Sequence, residues 1–170
     1  IPVLLDNGAN NALIGEYWSS LPESYQHQLY LHVGVGVRSA MMFNGQVVNG
    51  AVDLEGAVGQ MIISYDGRAN RDAGGNYGTL ESYATTFAIE RQAISMLKLG
   101  KASVLNSWID HPEQVNFPLL LKALGTGDAM VKELFVEAAL FFGIGLANLL
   151  NILHPERVIL GGPLITSQDF

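Results

Sequence analysis

A chain of 170 residues, 49% hydrophobic and 15% charged, can bury one sizeable core and is too apolar to be a disordered segment. Its formal net charge of −7 argues against a surface that holds a nucleic-acid backbone, and no Lys/Arg run offsets it. With no cysteine, disulfide frameworks and thiolate metal sites are excluded.

In chain order, residues 1–5 are an apolar run without an initiator Met, which reads as a strand whose preceding domain has been cut away. No basic–apolar–small leader pattern precedes it, which favours a cytoplasmic chain. Asp6-Asn7-Gly8 then turns the chain, and a helix is expected from about Ala9 to Trp18, capped by Asn7 or Asn10. Leu29 to Val33 alternates as a strand, with Leu29, Leu31 and Val33 on one face and Tyr30 and His32 on the other. Gly34-Val35-Gly36 interrupts it. Val37 to Phe43 next meets Gln46-Val47-Val48 across Asn44-Gly45, a hairpin signal because both central residues of a type I′ turn need positive φ.

A further strand is expected over Val58 to Ser64, inside a glycine-punctuated stretch from Gly50 to Gly78. From Leu80 the periodicity turns helical, through Phe87, Ile89, Ile94 and Leu97. A short helix over Leu119 to Leu124 ends at Gly125. Asp128 caps a long helix that runs to His154 and stops because Pro155 cannot continue it. Its Leu134–Leu153 portion is long enough for a membrane span, but Glu137, Asn148 and Asn151 interrupt it, and a buried core or interface helix is expected. Arg157 to Leu160 is a strand from which Gly161-Gly162-Pro163 turns away. This order gives one α/β domain over residues 1–170, a mixed central sheet with helices packed on it.

Several positions could carry chemistry. Gly34-Val35-Gly36 exposes backbone N–H groups, as a phosphate cradle requires, or simply forms a sharply bent hairpin. Gly161-Gly162 is likewise a strand end open to a ligand, or a turn. Glu81 could hydrogen-bond a polyol, or only place a favourable charge at a helix N-terminus. His27, His32, His111 and His154 are scattered without an i,i+4 pair, and no metal site is expected from them.

Together, in order and spacing, these segments resemble the ROK family of repressors and sugar kinases. Asn7-Gly8-Ala9-Asn10-Asn11-Ala12-Leu13-Ile14-Gly15-Glu16 is similar to the family's N-D-A-N-A-A-A-x-G-E. Leu31-His32-Val33-Gly34-Val35-Gly36-Val37, with Asn44-Gly45 and Gly50, resembles L-x-x-G-T-G-I…N-G…G. Gly56-Ala57-Val58-Gly59-Gln60 stands where the family has G-E-I-G-H, and Gly74 to Glu81 resembles C-G-x-x-G-C-L-E. Asn151 to Pro155 and Val158 to Gly162 resemble the closing N-P…I-V-I-G-G.

The resemblance implies an actin-like ATPase (ribonuclease H-like) fold. It further implies the C-terminal lobe, which carries most of the sugar site, with the phosphate-loop lobe and any helix-turn-helix outside this chain. It assigns Asn7 and Glu81 to sugar binding, Gly34 and Gly36 to a remnant of the phosphate loop, and Gly161 and Gly162 to a remnant of the adenosine site. The departures matter as much. The catalytic Asp of the kinases falls on Gly8, the Glu and His of G-E-I-G-H fall on Ala57 and Gln60, and the Thr of G-T-G falls on Val35. The ligands of the family's structural zinc fall on Gln60, Asp72, Gly74 and Thr79, none of them a thiolate or imidazole. No catalytic residue, metal or cofactor is therefore expected. The expected function is the effector-sensing and dimerisation lobe of a transcriptional regulator, a homodimer through the long helix. A sugar or sugar-phosphate effector is expected, with DNA contacted only by a segment outside this chain, and no membrane. The alternative is a sugar kinase in which Asp6 replaces the missing base.

Overall fold

The computed structural model describes residues 3, 5–22, 25–52, 55–71 and 74–166. Of the strand expected at the start, residues 1, 2 and 4 lie outside the described set, and Val3 and Leu5 are exposed. Helix α1 (Gly8–Ser19) begins where Asn7, in extended conformation, accepts a hydrogen bond from the Asn10 backbone N–H at 2.8 Å. Asn7 is the cap, with its side chain satisfying a donor that the first helical turn leaves open.

Strands β1 (Gln28–Val33) and β2 (Val37–Phe43) pair antiparallel, with Tyr30 opposite Ala40. The hairpin to β3 (Gln46–Val47) turns on Asn44 and Gly45 at φ 52° and 72°, as the Asn-Gly pair predicts. Strand β4 (Arg157–Gly161) runs parallel to β1 and completes the sheet order β3-β2-β1-β4. The alternation in β1 divides the core. Leu29, Leu31 and Val33 pack with Leu80, Ala84 and Leu149 on one face. On the other face, Ala40 and Met42 pack with Ala9 and Leu13 of α1.

Helices α2 (Thr86–Lys98), α3 (Phe117–Gly125) and α4 (Ala129–Leu153) share a separate apolar cluster built on Ile89, Ala93, Leu120, Val131 and Leu134. The Asp128 cap and the left-handed His154 before Pro155 bound α4 as the sequence predicts. By length and hydropathy α4 would pass for a membrane span. Its inner residues Met130, Val131, Leu134, Ala138, Gly145 and Leu149 are instead buried in the protein core. The expectation of a buried helix needs correction on the outer side, where Val136, Leu140, Ile144 and Ile152 are exposed. Burial covers one face only.

Three further expectations are corrected. Val58 to Ser64 is not a strand: a 3-10 turn covers Val58–Gln60, and one bridge joins Ile62 to Thr79. The backbone there closes on itself, Gln60 N–H donating to the Ala57 carbonyl and Met61 N–H to that of Val58. The helical pattern from Leu80 contains a break, with a 3-10 turn at Leu80–Ser82 and α2 starting only at Thr86. Thr85 causes the break: it is extended, and its hydroxyl accepts from the Ala88 N–H at 3.0 Å as a helix cap. Past β4, Gly162 takes φ 97° and makes the expected turn, but Pro163 then opens a short helix α5 (Pro163–Thr166).

Candidate functional site

A cavity of about 510 Å³ opens between the start of α1, the middle of β2 and residues 48–52. Its polar lining includes Asp6, Asn7, Asn10, Ser39, Asn49 and Glu55. The Asp6 Oδ1 accepts from the Asn7 N–H at 2.8 Å and from Asn10 Nδ2 at 2.9 Å. Asn10, 7% exposed, thereby fixes the carboxylate at the cavity wall. On the far side, the Glu55 carbonyl accepts from the Ser39 N–H at 2.7 Å, and its carboxylate lies 3.7 Å from Arg38. Asn7, read from the sequence as a sugar ligand, is thus in a polar cavity with two carboxylates that the motif comparison passed over. Ordinary single Asp and Glu residues in loops carry no sequence signal that marks them out.

Gly8 is the first residue of α1, and no described atom lies within 4 Å of where its Cβ would stand. The fold has room for a side chain there. The glycine removes a carboxylate without any steric requirement that it do so.

Glu81 does not line this cavity. Its Oε2 accepts from the Val37 N–H at 3.3 Å and stands 3.0 Å from where a Cβ on Gly36 would be, and 2.9 Å from one on Gly59. The two glycines leave the space that the carboxylate occupies. Gly34 closes the β1–β2 turn, its N–H donating to the Gly36 carbonyl at 3.0 Å, while its own carbonyl accepts from Thr86 at the start of α2. Gly162 packs on Val33: a Cβ there would come within 2.5 Å of the Val33 carbonyl oxygen. Gly161 is the last residue of β4, paired with His32. Glu81 and the glycines 34, 36, 161 and 162 therefore gather at the carboxyl ends of β1 and β4, apart from Asn7.

The loop that carries zinc in the family is held differently here. Asn70, 6% exposed, donates from Nδ2 to Gln60 Oε1 at 2.9 Å and to Thr79 Oγ1 at 3.1 Å. Thr79 Oγ1 in turn lies 2.8 Å from Ser82 Oγ. Gln60 and Thr79 occupy two of the ligand positions that the resemblance assigned, but an amide and a hydroxyl are poor zinc ligands. Gly74 has no side chain, and Asp72 lies outside the described residues. This donor set does not fit zinc. What ties the loop to the 3-10 turn before α2 is a buried hydrogen-bond cluster, each group supplying another's partner.

The sequence pattern of the ROK family matches residues 1–170. The chain is 28% identical over 169 residues to a glucokinase of Halalkalibacterium halodurans, covering 99% of this chain and 51% of that protein. It is 30% identical over 161 residues to a xylose repressor of Caldicellulosiruptor bescii, covering 95% of this chain and 40% of the repressor. The crystal structure of a ROK hexokinase from Thermus thermophilus superposes with a TM-score of 0.77 at 30% identity, over 95% of this chain and 50% of that one. The chain spans about half the length of these relatives or less. The mixed sheet with helices on both faces is the actin-like ATPase arrangement seen in such neighbours. Matched from end to end by the family pattern and sharing its fold, this chain belongs to the ROK family, whose members are sugar kinases and sugar-responsive regulators.

Proposed function

We propose that this chain is the C-terminal lobe of a sugar-responsive regulator, which binds a sugar and does not phosphorylate it. The observation that carries the reading is Gly8, a residue without a proton acceptor at the helix start where kinases of the family hold their base. Losing a positioned general base lowers a rate by roughly 10²–10⁴-fold. Ala57 and Gln60 weaken the case for catalysis further, since neither replaces the carboxylate and imidazole of G-E-I-G-H. The repressor relative supports the reading.

A sugar kinase is the second reading, favoured by the glucokinase and hexokinase relatives and by Asp6 in the same cavity as Asn7. The intact protein, given ATP and a panel of hexoses and pentoses, separates the two. Sensing predicts calorimetric binding of at least one monosaccharide, weakened about tenfold or more by Asn7→Ala, without ATP turnover. Turnover that disappears in Asp6→Asn would establish the kinase instead.

The regulator reading includes a homodimer, with DNA contacted by a segment outside this chain. Val136, Leu140 and Ile144 recur every four residues on the outer face of α4, at 51%, 65% and 46% exposure. Self-association through this face predicts a dimer at micromolar concentration, with Leu140→Glu sedimenting as a monomer. A parent protein that stays monomeric at high micromolar concentration removes this part.

A further inference from the structure

The chain carries five arginines against a net charge of −7, and three of them, Arg68, Arg71 and Arg91, line a single cleft of about 260 Å³. The cleft lies between residues 68–71 and the outer side of α2, and does not include Asn7. Arg68 is already committed: its Nη2 lies 2.8 and 2.7 Å from the two Glu137 oxygens, and its guanidinium lies over the Tyr83 ring. Arg71 and Arg91 have no carboxylate partner among the described residues. Each instead rests near the ring of Phe87, its Cζ 5.3 and 5.7 Å from the centroid respectively. A cation near an aromatic face keeps its charge and its donors while the ring limits where it can go.

Glu81 is the one carboxylate lining the cleft, and its Oε2 is turned toward the Val37 N–H. Two unneutralised guanidiniums thus face one carboxylate that is partly engaged elsewhere. The pair suits an oxyanion, because guanidinium forks match phosphate oxygens with charge-assisted bonds. Glu81 suits a hydroxyl donor, and Phe87 an apolar ring face.

We propose that this cleft binds the phosphate monoester of a polyol, with Arg71 and Arg91 holding the phosphate and Glu81 accepting from a hydroxyl. The site is separate from the cavity lined by Asn7, so it does not rest on the sensing reading. Calorimetry of the intact protein with glucose 6-phosphate, inorganic phosphate and glucose tests it. Glucose 6-phosphate should bind more tightly than inorganic phosphate, and the double variant Arg71→Ala/Arg91→Ala should lose about tenfold or more of that affinity. Both arginines are exposed, so circular dichroism should stay unchanged. Lys98→Ala, which removes a surface cation paired with Glu113, should leave the affinity as it was. The proposal is overturned by no heat with glucose 6-phosphate, by undiminished binding in the double variant, or by an equal loss in Lys98→Ala. Equal affinity for inorganic phosphate overturns the polyol part. Any glucose binding should be the same in the double variant and the parent, which keeps this site's failure distinct from that of the sugar cavity.

Discussion

Replacing Gly78 by alanine is expected to destabilise the protein by about 3–5 kcal/mol, from left-handed strain and an overlap that cannot relax locally. Gly78 has φ 66°, and a Cβ there would fall on the Ser64 carbonyl oxygen, which is backbone and cannot swing aside. The same residue joins the loop to itself. Its carbonyl accepts from the N–H groups of Ile63 and Ser64 at 2.8 and 3.1 Å, and its own N–H donates to Arg68 at 2.8 Å. Moving it displaces all three contacts, and with them the Arg68 backbone N–H that donates to the Tyr83 hydroxyl. Gly74, four residues earlier, has open space around its Cβ and no positive φ, so Gly74→Ala should change stability by less than about 0.5 kcal/mol. Urea denaturation of the two variants checks this. A Gly78→Ala midpoint equal to that of Gly74→Ala would mean that the loop has another backbone arrangement.

Gly78 also shows what could be read in advance and what could not. Local chemistry was legible. Asn44-Gly45 specified a turn because its geometry demands two positive φ values, and Asp128 and Pro155 marked the ends of α4 because each acts on its immediate neighbours. The alternation of Leu29, Leu31 and Val33 correctly divided the faces of β1. Failures came where distance in sequence decided the outcome. Val58 to Ser64 has an apolar run that fits a strand, but its backbone partners are its own neighbours, and periodicity cannot report that. Thr85 was a readable cap that the continuous apolar pattern from Leu80 masked.

The site divides in the same way. Motif comparison found Asn7, Gly8 and Glu81, because they stand in register with a known pattern. It placed Asn7 and Glu81 in one sugar site, whereas the cavity that Asn7 lines does not contain Glu81. Asn70 and Ser82 were missed, although they complete the cluster that holds Gln60 and Thr79. A buried amide network has no sequence signature, since any Asn or Ser reads as a loop residue until its partners are known. The arginine cleft was missed for a related reason: Arg71 and Arg91 are twenty positions apart and meet only around Phe87.

Asp128→Ala is expected to cost about 3–4 kcal/mol at neutral pH, the sum of a lost helix cap and lost bonds to a charged acceptor. Asp128 is 6% exposed, and both its oxygens are used. Oδ1 accepts from the Val131 N–H at 2.9 Å and starts α4, whereas Oδ2 accepts from Ser103 Oγ at 2.8 Å and the Val104 N–H at 2.7 Å. One carboxylate therefore joins the longest helix to the turn that carries the buried Leu105. Burial pushes its pKa up, but the N–H groups of Val131 and Val104 and the Ser103 hydroxyl outweigh that and hold it below the ordinary carboxylate value. The sign follows. A depressed pKa in the folded state contributes stability above the unfolded-state value, and that stability is lost as pH falls through the folded one. Asp128→Asn separates the cap from the charge: asparagine can still accept from Val131, but its amide N–H₂ cannot accept from Val104. Its cost should be about 1.5–2.5 kcal/mol at pH 7, and the gap to the parent should narrow as the solution is acidified below the usual Asp range. Urea titrations of parent, Asp128→Asn and Asp128→Ala across that range read the gap directly. A constant parent-to-Asn difference across the range would show that the hydrogen bonds, and not the charge they stabilise, hold this junction together.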